Sequence, residues 1–297
     1  MRVIISGASG LIGSALSAAL REAGHDPVHL VRRPAKTAGE IQWDPAKGVL
    51  APDALDGAGA VVHLAGAGIG DHRWTDEYKQ ELIDSRVKST TLLATTIANS
   101  SNRPPVFLSG SAIGYYGPSD GRELDEHSPA GTDFLADLCV QWEGATAAAK
   151  AAGVRVVHLR TGIVLTPKGG ALKKMLPLFK LFVGGRFGNG KQWQSWVSLD
   201  DEVGAIIHLL TADVEGPVNL TAPTPITNAG FTKVLGRVLH RPTLFPVPSF
   251  GPKLLLGGEL ANALLFTGQR VLPKVLQASG YQFRHTLLDE ALTDLLA

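Results

Sequence analysis

Apolar residues in this chain fall into short runs separated by longer amphipathic stretches, and the alternation repeats from the first residues to about residue 160. Largely apolar runs at 3–5, 25–31, 60–65, 105–109 and 154–160 read as strands buried on both faces. A shorter run around 40–43 reads as an edge strand before the turn-rich stretch 44–59. Between them, helical spacing is predicted over 14–23, 75–99 and 134–152, with Gly24 and Gly153 where helix ends favour glycine. Parallel strands need crossovers, and such helices supply them. The expected fold class is α/β: a doubly wound parallel sheet with its ligand crevice at the carboxyl ends of the strands. After Thr161 the texture changes to Gly169-Gly170, Gly184-Gly185 and Gly188-Asn189-Gly190, then prolines at 217, 223, 225, 242, 246, 248 and 252. This predicts a cofactor domain over 1–160 and a smaller substrate lobe over 161–297, interleaved with the last strands of the sheet.

Composition narrows the function classes. Of the 297 residues, 44% are hydrophobic and 19% charged, with 28 basic against 27 acidic, a balance that implies no nucleic-acid or other polyanionic partner. One cysteine, Cys139, excludes an intramolecular disulfide framework and a cysteine metal cluster. The chain starts on its first core strand with no basic leader, and the apolar runs 254–256 and 261–266 are interrupted by Gly257, Gly258 and Glu259. A cytoplasmic protein without a membrane span is expected. No His, Cys, Asp or Glu grouping has metal-ligand spacing, and the expected metal is none.

The sharpest chemical signal is the run Val3-Ile4-Ile5-Ser6-Gly7-Ala8-Ser9-Gly10-Leu11-Ile12-Gly13, an apolar strand passing through three glycines into a helix. Gly7 permits the turn, Gly10 lets a pyrophosphate approach the backbone, and Gly13 lets helix and strand pack closely. Ser9, Leu11 and Ile12 complete a turn whose free N–H groups face phosphate oxygens. At the end of the second strand, where an acidic residue would select NAD, stand Arg32 and Arg33. Two guanidinium groups there suit a ribose 2′-phosphate, so NADP(H) is the expected cofactor; two solvated surface arginines are the plainer reading.

These and later runs resemble the extended and atypical short-chain dehydrogenase/reductases, the NAD-dependent epimerase/dehydratase family with its Rossmann-like sheet. The resemblance rests on the glycine loop, on Val62-His63-Leu64-Ala65-Gly66, on Ser109-Gly110-Ser111 followed by Tyr115-Tyr116-Gly117, and on Leu159-Arg160-Thr161-Gly162. Arg73-Trp74-Thr75, Ser85-Arg86-Val87, Gln141-Trp142-Glu143 and Gly268-Gln269-Arg270 are similar to one atypical branch, the YfcH-like epimerase family proteins. The resemblance implies that Leu64, Ala65 and Gly66 pass beneath the cofactor, simple close packing being equally compatible with them, and that Ser109, Glu81 and Arg86 lie near it, although by sequence alone Glu81 and Arg86 are ordinary charged helix positions. Glu81 and Arg86 are five residues apart, roughly 140° around a helix, and do not share one face.

Typical members use a serine with a Tyr-x-x-x-Lys on a later helix, the tyrosinate moving the proton that accompanies hydride transfer. If Ser111 is the serine and Glu143 the glutamate that follows the lysine, Leu135 and Cys139 stand at the tyrosine and lysine positions, and neither can do that work. Ser111 and Tyr116 are then the candidate catalytic residues, with Tyr115 beside them; an aromatic pair closing the cleft is the alternative. His63 is expected to be a satisfied core histidine, and Asp200 a helix N-cap. Gly188-Asn189-Gly190-Lys191-Gln192 resembles the nucleotide-meeting loop of sugar-nucleotide epimerases, but Gln194 stands where an arginine is usual. Trp193, Trp196, Phe179, Phe182 and Phe187 are candidate pocket aromatics. The expectation is an NADP(H)-dependent oxidoreductase or epimerase acting on a small or sugar-like carbonyl or hydroxyl compound. The alternative is a non-catalytic NADPH-binding sensor. Oligomeric state is not legible.

Overall fold

The computed structural model describes residues 1–243 and 245–297. β1 (Arg2–Ser6) turns into α1 (Leu11–Glu22), followed by β2 (Asp26–Val31), β3 (Glu40–Asp44), β4 (Val49–Leu50) and β5 (Ala60–His63). Then come α2 (Asp76–Asn99), β6 (Val106–Ala112), β7 (Glu123–Leu124), α3 (Phe134–Gly144), α4 (Ala147–Ala151), β8 (Arg155–Thr161) and β9 (Ile163–Leu165). Next are α5 (Gly170–Lys180), β10 (Trp193–Gln194), β11 (Trp196–Ser198), α6 (Leu199–Leu209), β12 (Gly216–Leu220), β13 (Ile226–Thr227) and α7 (Asn228–Val238). The chain ends with α8 (Phe250–Leu256), α9 (Gly258–Ala261), β14 (Arg270–Val271), α10 (Lys274–Ala278) and α11 (Leu288–Leu296).

Eight strands form one sheet in the order β12-β8-β6-β5-β1-β2-β3-β4, parallel except for the β3–β4 pair at its edge. Strand order reverses between β1 and β5, which opens a crevice beyond their carboxyl ends. The pleat sends alternate residues to opposite faces. Val3, Ile5, Val62 and Leu108 meet Leu16 and Leu20 of α1 and Ile206 and Leu209 of α6 on one side. Ile4, Val61 and Phe107 meet Leu93 and Ile97 of α2 on the other. Each fully buried branched side chain contributes about 1.5–3 kcal/mol, so the sheet is covered on both faces.

The chain beyond Thr161 does not build a separate body at once. After β9, α5, β10 and β11 it returns α6 and β12 to the sheet layer, β12 pairing with β8 from Gly216↔Val157 to Leu220↔Thr161. The smaller lobe has its own core, in which Leu172, Leu176, Phe179, Trp196, Phe231 and Leu292 meet.

Several boundaries differ from those expected. Helix α1 begins at Leu11 rather than Ser14, because its N-cap is Gly10 in extended geometry. The single helix expected over 134–152 is two, α3 and α4. Thr146 Oγ1 donates to the Glu143 carbonyl at 2.7 Å and meets His158 Nε2 at 2.9 Å, taking its hydroxyl into local bonds at the break. The strand expected over 105–109 continues through Ser111 to Ala112. Asp200 is not an N-cap. Ser198 caps α6 by accepting from the Asp201 N–H at 3.1 Å, while Asp200 lies exposed in the first turn.

Candidate functional site

The glycine loop is shaped by contacts that leave one side open. Gly7 has φ +74°, and a Cβ there would lie 2.7 Å from the Leu64 carbonyl carbon. At Gly13 a Cβ would lie 2.2 Å from the Gly7 oxygen, so α1 sits on the turn itself. Gly10 is different: it is exposed, its N–H bonds Gly7 O at 3.0 Å, and the Gly7 oxygen at 3.3 Å is the nearest atom to an added Cβ. No side chain caps α1, and its first-turn N–H groups face the open side beside Ser9, Leu11 and Ile12. Leu64, Ala65 and Gly66 continue from β5 alongside, with Leu64 N donating to Ser6 O at 3.1 Å. These residues fit a dinucleotide phosphate: donors, a positive helix end and no side chain in the way.

Arg32 and Arg33 follow β2, both exposed, but they are not equivalent. Arg33 grips Glu40 of β3 through two hydrogen bonds, one of 2.8 Å, and that guanidinium holds the Glu40 carboxyl down at about 2. Arg32 has no hydrogen-bond or ion-pair partner among the described residues. Ser109, expected near the cofactor, is fully buried inside β6, its hydroxyl directed to the Gly110 carbonyl at 3.4 Å. It does not reach the crevice. Glu81 is exposed on α2. His63 bonds Ser6 Oγ at 2.5 Å and Ser89 Oγ at 3.1 Å, and burial lowers it to about 3, so it is a neutral core histidine.

Beyond the carboxyl end of β6 lies a cleft of about 220 Å³ between the sheet and the smaller lobe. Its sheet side is formed by Ala112, Ile113, Leu135, Cys139 and Trp142, its lobe side by Ile163, Trp193, Gln194, Leu264 and Thr267. Gly110 makes room for Trp142, whose Cζ2 would lie 2.7 Å from an added Cβ. Arg86 of α2 enters between them, 7% exposed, donating to Ala67 O at 2.9 Å and Leu82 O at 3.1 Å. Cys139 Sγ lies 3.7 Å from Ala112 O, and burial pushes its thiol up to about 12. Of the expected pocket aromatics, Trp193 lines this cleft, Trp196 and Phe179 are lobe core, Phe187 stacks edge-on against Phe266, and Phe182 is 59% exposed.

Ser111 and Tyr116 do not line the cleft. Ser111 Oγ donates to Glu143 Oε1 at 2.7 Å, and Arg160 holds the same carboxylate through Nε at 2.8 Å and Nη2 at 2.9 Å. Arg160 Nη1 donates to the Tyr116 hydroxyl at 3.0 Å, which donates to Asn219 Oδ1 at 2.7 Å. Asn219 N and Val275 N both donate to Glu126 Oε1. Ser111, Tyr116, Arg160, Asn219 and Glu126 are buried, Glu143 nearly so, and burial raises the Tyr116 phenol to about 12. The two expected catalytic hydroxyls therefore belong to a network joining β6, α3, β8 and β12.

The model of the NAD dependent epimerase/dehydratase family matches residues 3–221, and that of a domain of unknown function (DUF1731) matches residues 247–295. The chain belongs to the NAD dependent epimerase/dehydratase family. An epimerase family protein of Mycobacterium leprae is 45% identical over 292 residues, covering 98% of this chain and 94% of that protein. The crystal structure of human epimerase family protein SDR39U1 (isoform 2) with NADPH superposes with a TM-score of 0.91 at 35% identity, covering 99% of both chains. UDP-glucose 4-epimerase from Thermotoga maritima, with UDP-glucose, has a TM-score of 0.77 at 16% identity, over 100% of this chain and 97% of that one, a likeness of fold alone.

Within this epimerase/dehydratase frame, Leu135 and Cys139 lie four residues apart on α3 and both line the cleft. The positions at which the resemblance expects a tyrosine and a lysine thus do face the cleft, filled by groups without a transferable proton near neutrality. Sequence reasoning missed three features. Arg160 was a visible signal, a cation inside an apolar strand. Glu202 sits among Leu199, Val203 and Ile206 on the apolar face of α6; it is fully buried, accepts from Thr161 Oγ1 at 2.8 Å, and burial raises it to about 8. Asp200, His285 and Asp294 converge, far apart in sequence, with Arg284 bonded to both aspartates at 3.2 and 2.9 Å. That guanidinium already supplies the positive charge there.

Proposed function

We propose that this chain is an NADP(H)-binding oxidoreductase of the epimerase type, acting on a small carbonyl or hydroxyl compound. The observation that carries the reading is the uncapped N-terminus of α1, with Gly10 open in front of it and the unpaired Arg32 at the end of β2. The NADPH held by the human relative supports the choice of dinucleotide. When bound, such a cofactor supplies or accepts a hydride at its nicotinamide ring. The chain's own part is to seat the phosphates on Gly10, Leu11 and Ile12, to present Arg32 to a 2′-phosphate, and to leave Leu64, Ala65 and Gly66 slim enough to pass beneath. The apolar walls of the cleft exclude water from the reacting space. A small molecule is the expected partner, in the cytoplasm; among the described residues no helix is long and apolar enough to cross a membrane.

A second reading is favoured by one feature of the cleft. Arg86 and Cys139 are the titratable groups among its described lining residues, and neither exchanges a proton near pH 7. A non-catalytic NADPH sensor would need nothing more. Transfer of deuterium from 4-deuterated NADPH to a panel of carbonyl compounds separates the two: labelled product supports the oxidoreductase, and micromolar NADPH binding without transfer to any compound supports the sensor. Failure to bind either nicotinamide dinucleotide would sink both.

A further inference from the structure

Two arginines in this fold are almost entirely buried, and they are treated differently. Arg160, 3% exposed, is gripped on two nitrogens by Glu143. Arg86, 7% exposed, has no carboxylate within ion-pair distance among the described residues. Two backbone carbonyls take two of its nitrogens, Nε has no partner, and the ring of Trp142 lies 5.0 Å from its centre. Trp142 Nε1 is likewise buried without an acceptor. A buried cation left without a counter-ion is costly, and unsatisfied donors beside it add to the cost, unless a ligand brings the missing acceptors.

The rest of the cleft says what kind of ligand that is. Ile69, Ile113, Leu135, Leu138 and Leu264 give it apolar walls, and about 220 Å³ is less than a drug-sized ligand needs. On the lobe side the buried Gln194 Oε1 lacks a donor. Nearby cations are already engaged: Lys79 with Glu259, Arg270 with Glu123, and Arg73 with the carbonyls of Leu254 and Leu255. One unpaired guanidinium in an apolar cleft matches one anionic group, whereas a diphosphate-linked sugar needs several donors and more room.

We propose that Arg86 is the anion-holding residue of the cleft, and that its ligand is a compact, mostly apolar carboxylate with a hydroxyl or amino hydrogen for Gln194. The proposal rests on the reading of this cleft as the substrate site of an NADP(H) oxidoreductase, and it narrows that substrate to a small hydroxy or amino acid class. The resemblance places Arg86 near the cofactor; its position against Trp142 in the cleft that Cys139 also lines, rather than at the α1 N-terminus, assigns it to the substrate.

The test is calorimetric binding of mandelate and its neutral amide, mandelamide, to the full chain with and without saturating NADPH. Mandelate is expected to bind at least tenfold more tightly than mandelamide. Arg86→Met should remove that preference and Arg86→Lys restore part of it, with folding checked by circular dichroism and NADPH affinity changed less than threefold. Gln194→Leu should weaken mandelate more than benzoate, which lacks the hydroxyl. Equal binding of acid and amide by the parent protein overturns the proposal even if Arg86→Met does not fold. So does a tenfold loss of NADPH affinity in Arg86→Met with mandelate unchanged, which would give the guanidinium to a cofactor phosphate. Displacement of mandelate by UDP-glucose would overturn the exclusion of sugar nucleotides. If the parent binds mandelate but no NADPH, the oxidoreductase reading falls while the carboxylate site stands.

Discussion

Adjacent residues of one type can have different duties, and the two arginines after β2 show it. In the sequence Arg32 and Arg33 are interchangeable; in the structure Arg33 is held by Glu40 and Arg32 is not. Losing one charge-assisted phosphate contact weakens binding by about 1.5–3 kcal/mol. Arg32→Ala is therefore expected to lower NADPH affinity at least tenfold and to leave NADH affinity nearly unchanged, as read by nicotinamide fluorescence titration. Equal affinity of the parent protein for the two cofactors would remove the basis for a 2′-phosphate site. Glu202 makes a second prediction. Its folded-state value of about 8 lies above its ordinary value, so the folded chain holds a proton that the unfolded chain releases. Stability is then fully present below the ordinary carboxyl range and falls as pH rises towards 8. His63 works oppositely, but its contribution is complete once pH exceeds the ordinary histidine range. Between pH 6.5 and 8 the parent's urea midpoint should fall, and Glu202→Gln should flatten the fall; a midpoint curve identical to the parent's would show that Glu202 is ionised in the fold.

Elements carry the argument that single residues do not. The β1–α1 turn was legible because strand, glycines and helix follow one another within thirteen residues. Its three glycines nevertheless do unlike things. A Cβ at Gly13 would strike the Gly7 oxygen at 2.2 Å, whereas one at Gly10, with φ −76° and ψ 176°, meets a neighbour at 3.3 Å and no backbone strain. Gly13→Ala is thus expected to cost about 1–3 kcal/mol in chemical denaturation. Gly10→Val should keep most of the stability and lose NADPH binding, because its side chain fills the space before the helix end. A Gly10→Val chain that binds NADPH normally would put the phosphates elsewhere. The segment after β6 was read less well. Ser111 and Tyr116 were drawn to the cleft by their position in the chain, yet the pleat of β6 turns Ser111 towards Glu143, and Tyr116 follows into the same buried network. Period-two alternation gives each strand two faces; it does not say which face meets the cleft.

At the scale of the whole molecule, the C-terminal chain is tied to the sheet layer, through α6 and β12, at a few polar points. Asp201 is the chief of these. Its buried carboxylate accepts from the Arg284 N–H at 2.7 Å, the His285 N–H at 3.0 Å and the Tyr281 hydroxyl at 3.1 Å, so α6 holds the chain that leads to α11. Asp201→Ala would leave several buried donors unpaired, and a loss of about 3 kcal/mol or more is expected. Thermal unfolding with limited proteolysis of the C-terminal segment checks it, and an unchanged midpoint would show that the tail is held by its apolar contacts instead. Glu126 makes a similar tie, joining β12 to the start of α10 through Asn219 and Val275.

The sequence by itself determined the doubly wound sheet, because buried parallel strands and amphipathic crossover helices each leave a local period. It also determined the dinucleotide turn, whose parts are contiguous, and the absence of a tyrosine and lysine at Leu135 and Cys139. Tertiary structure alone decided which of Arg32 and Arg33 is unpaired among the described residues, that Ser109, Ser111 and Tyr116 are turned away from the cleft, and that Arg86 is buried there with no counter-ion among those residues. Those outcomes depend on what stands opposite each side chain. Glu143 lies 32 residues from Ser111, and Asn219 lies 103 from Tyr116. A hydrogen bond or ion pair over such separations is set by how strands and helices are stacked, and no local pattern of residues encodes it.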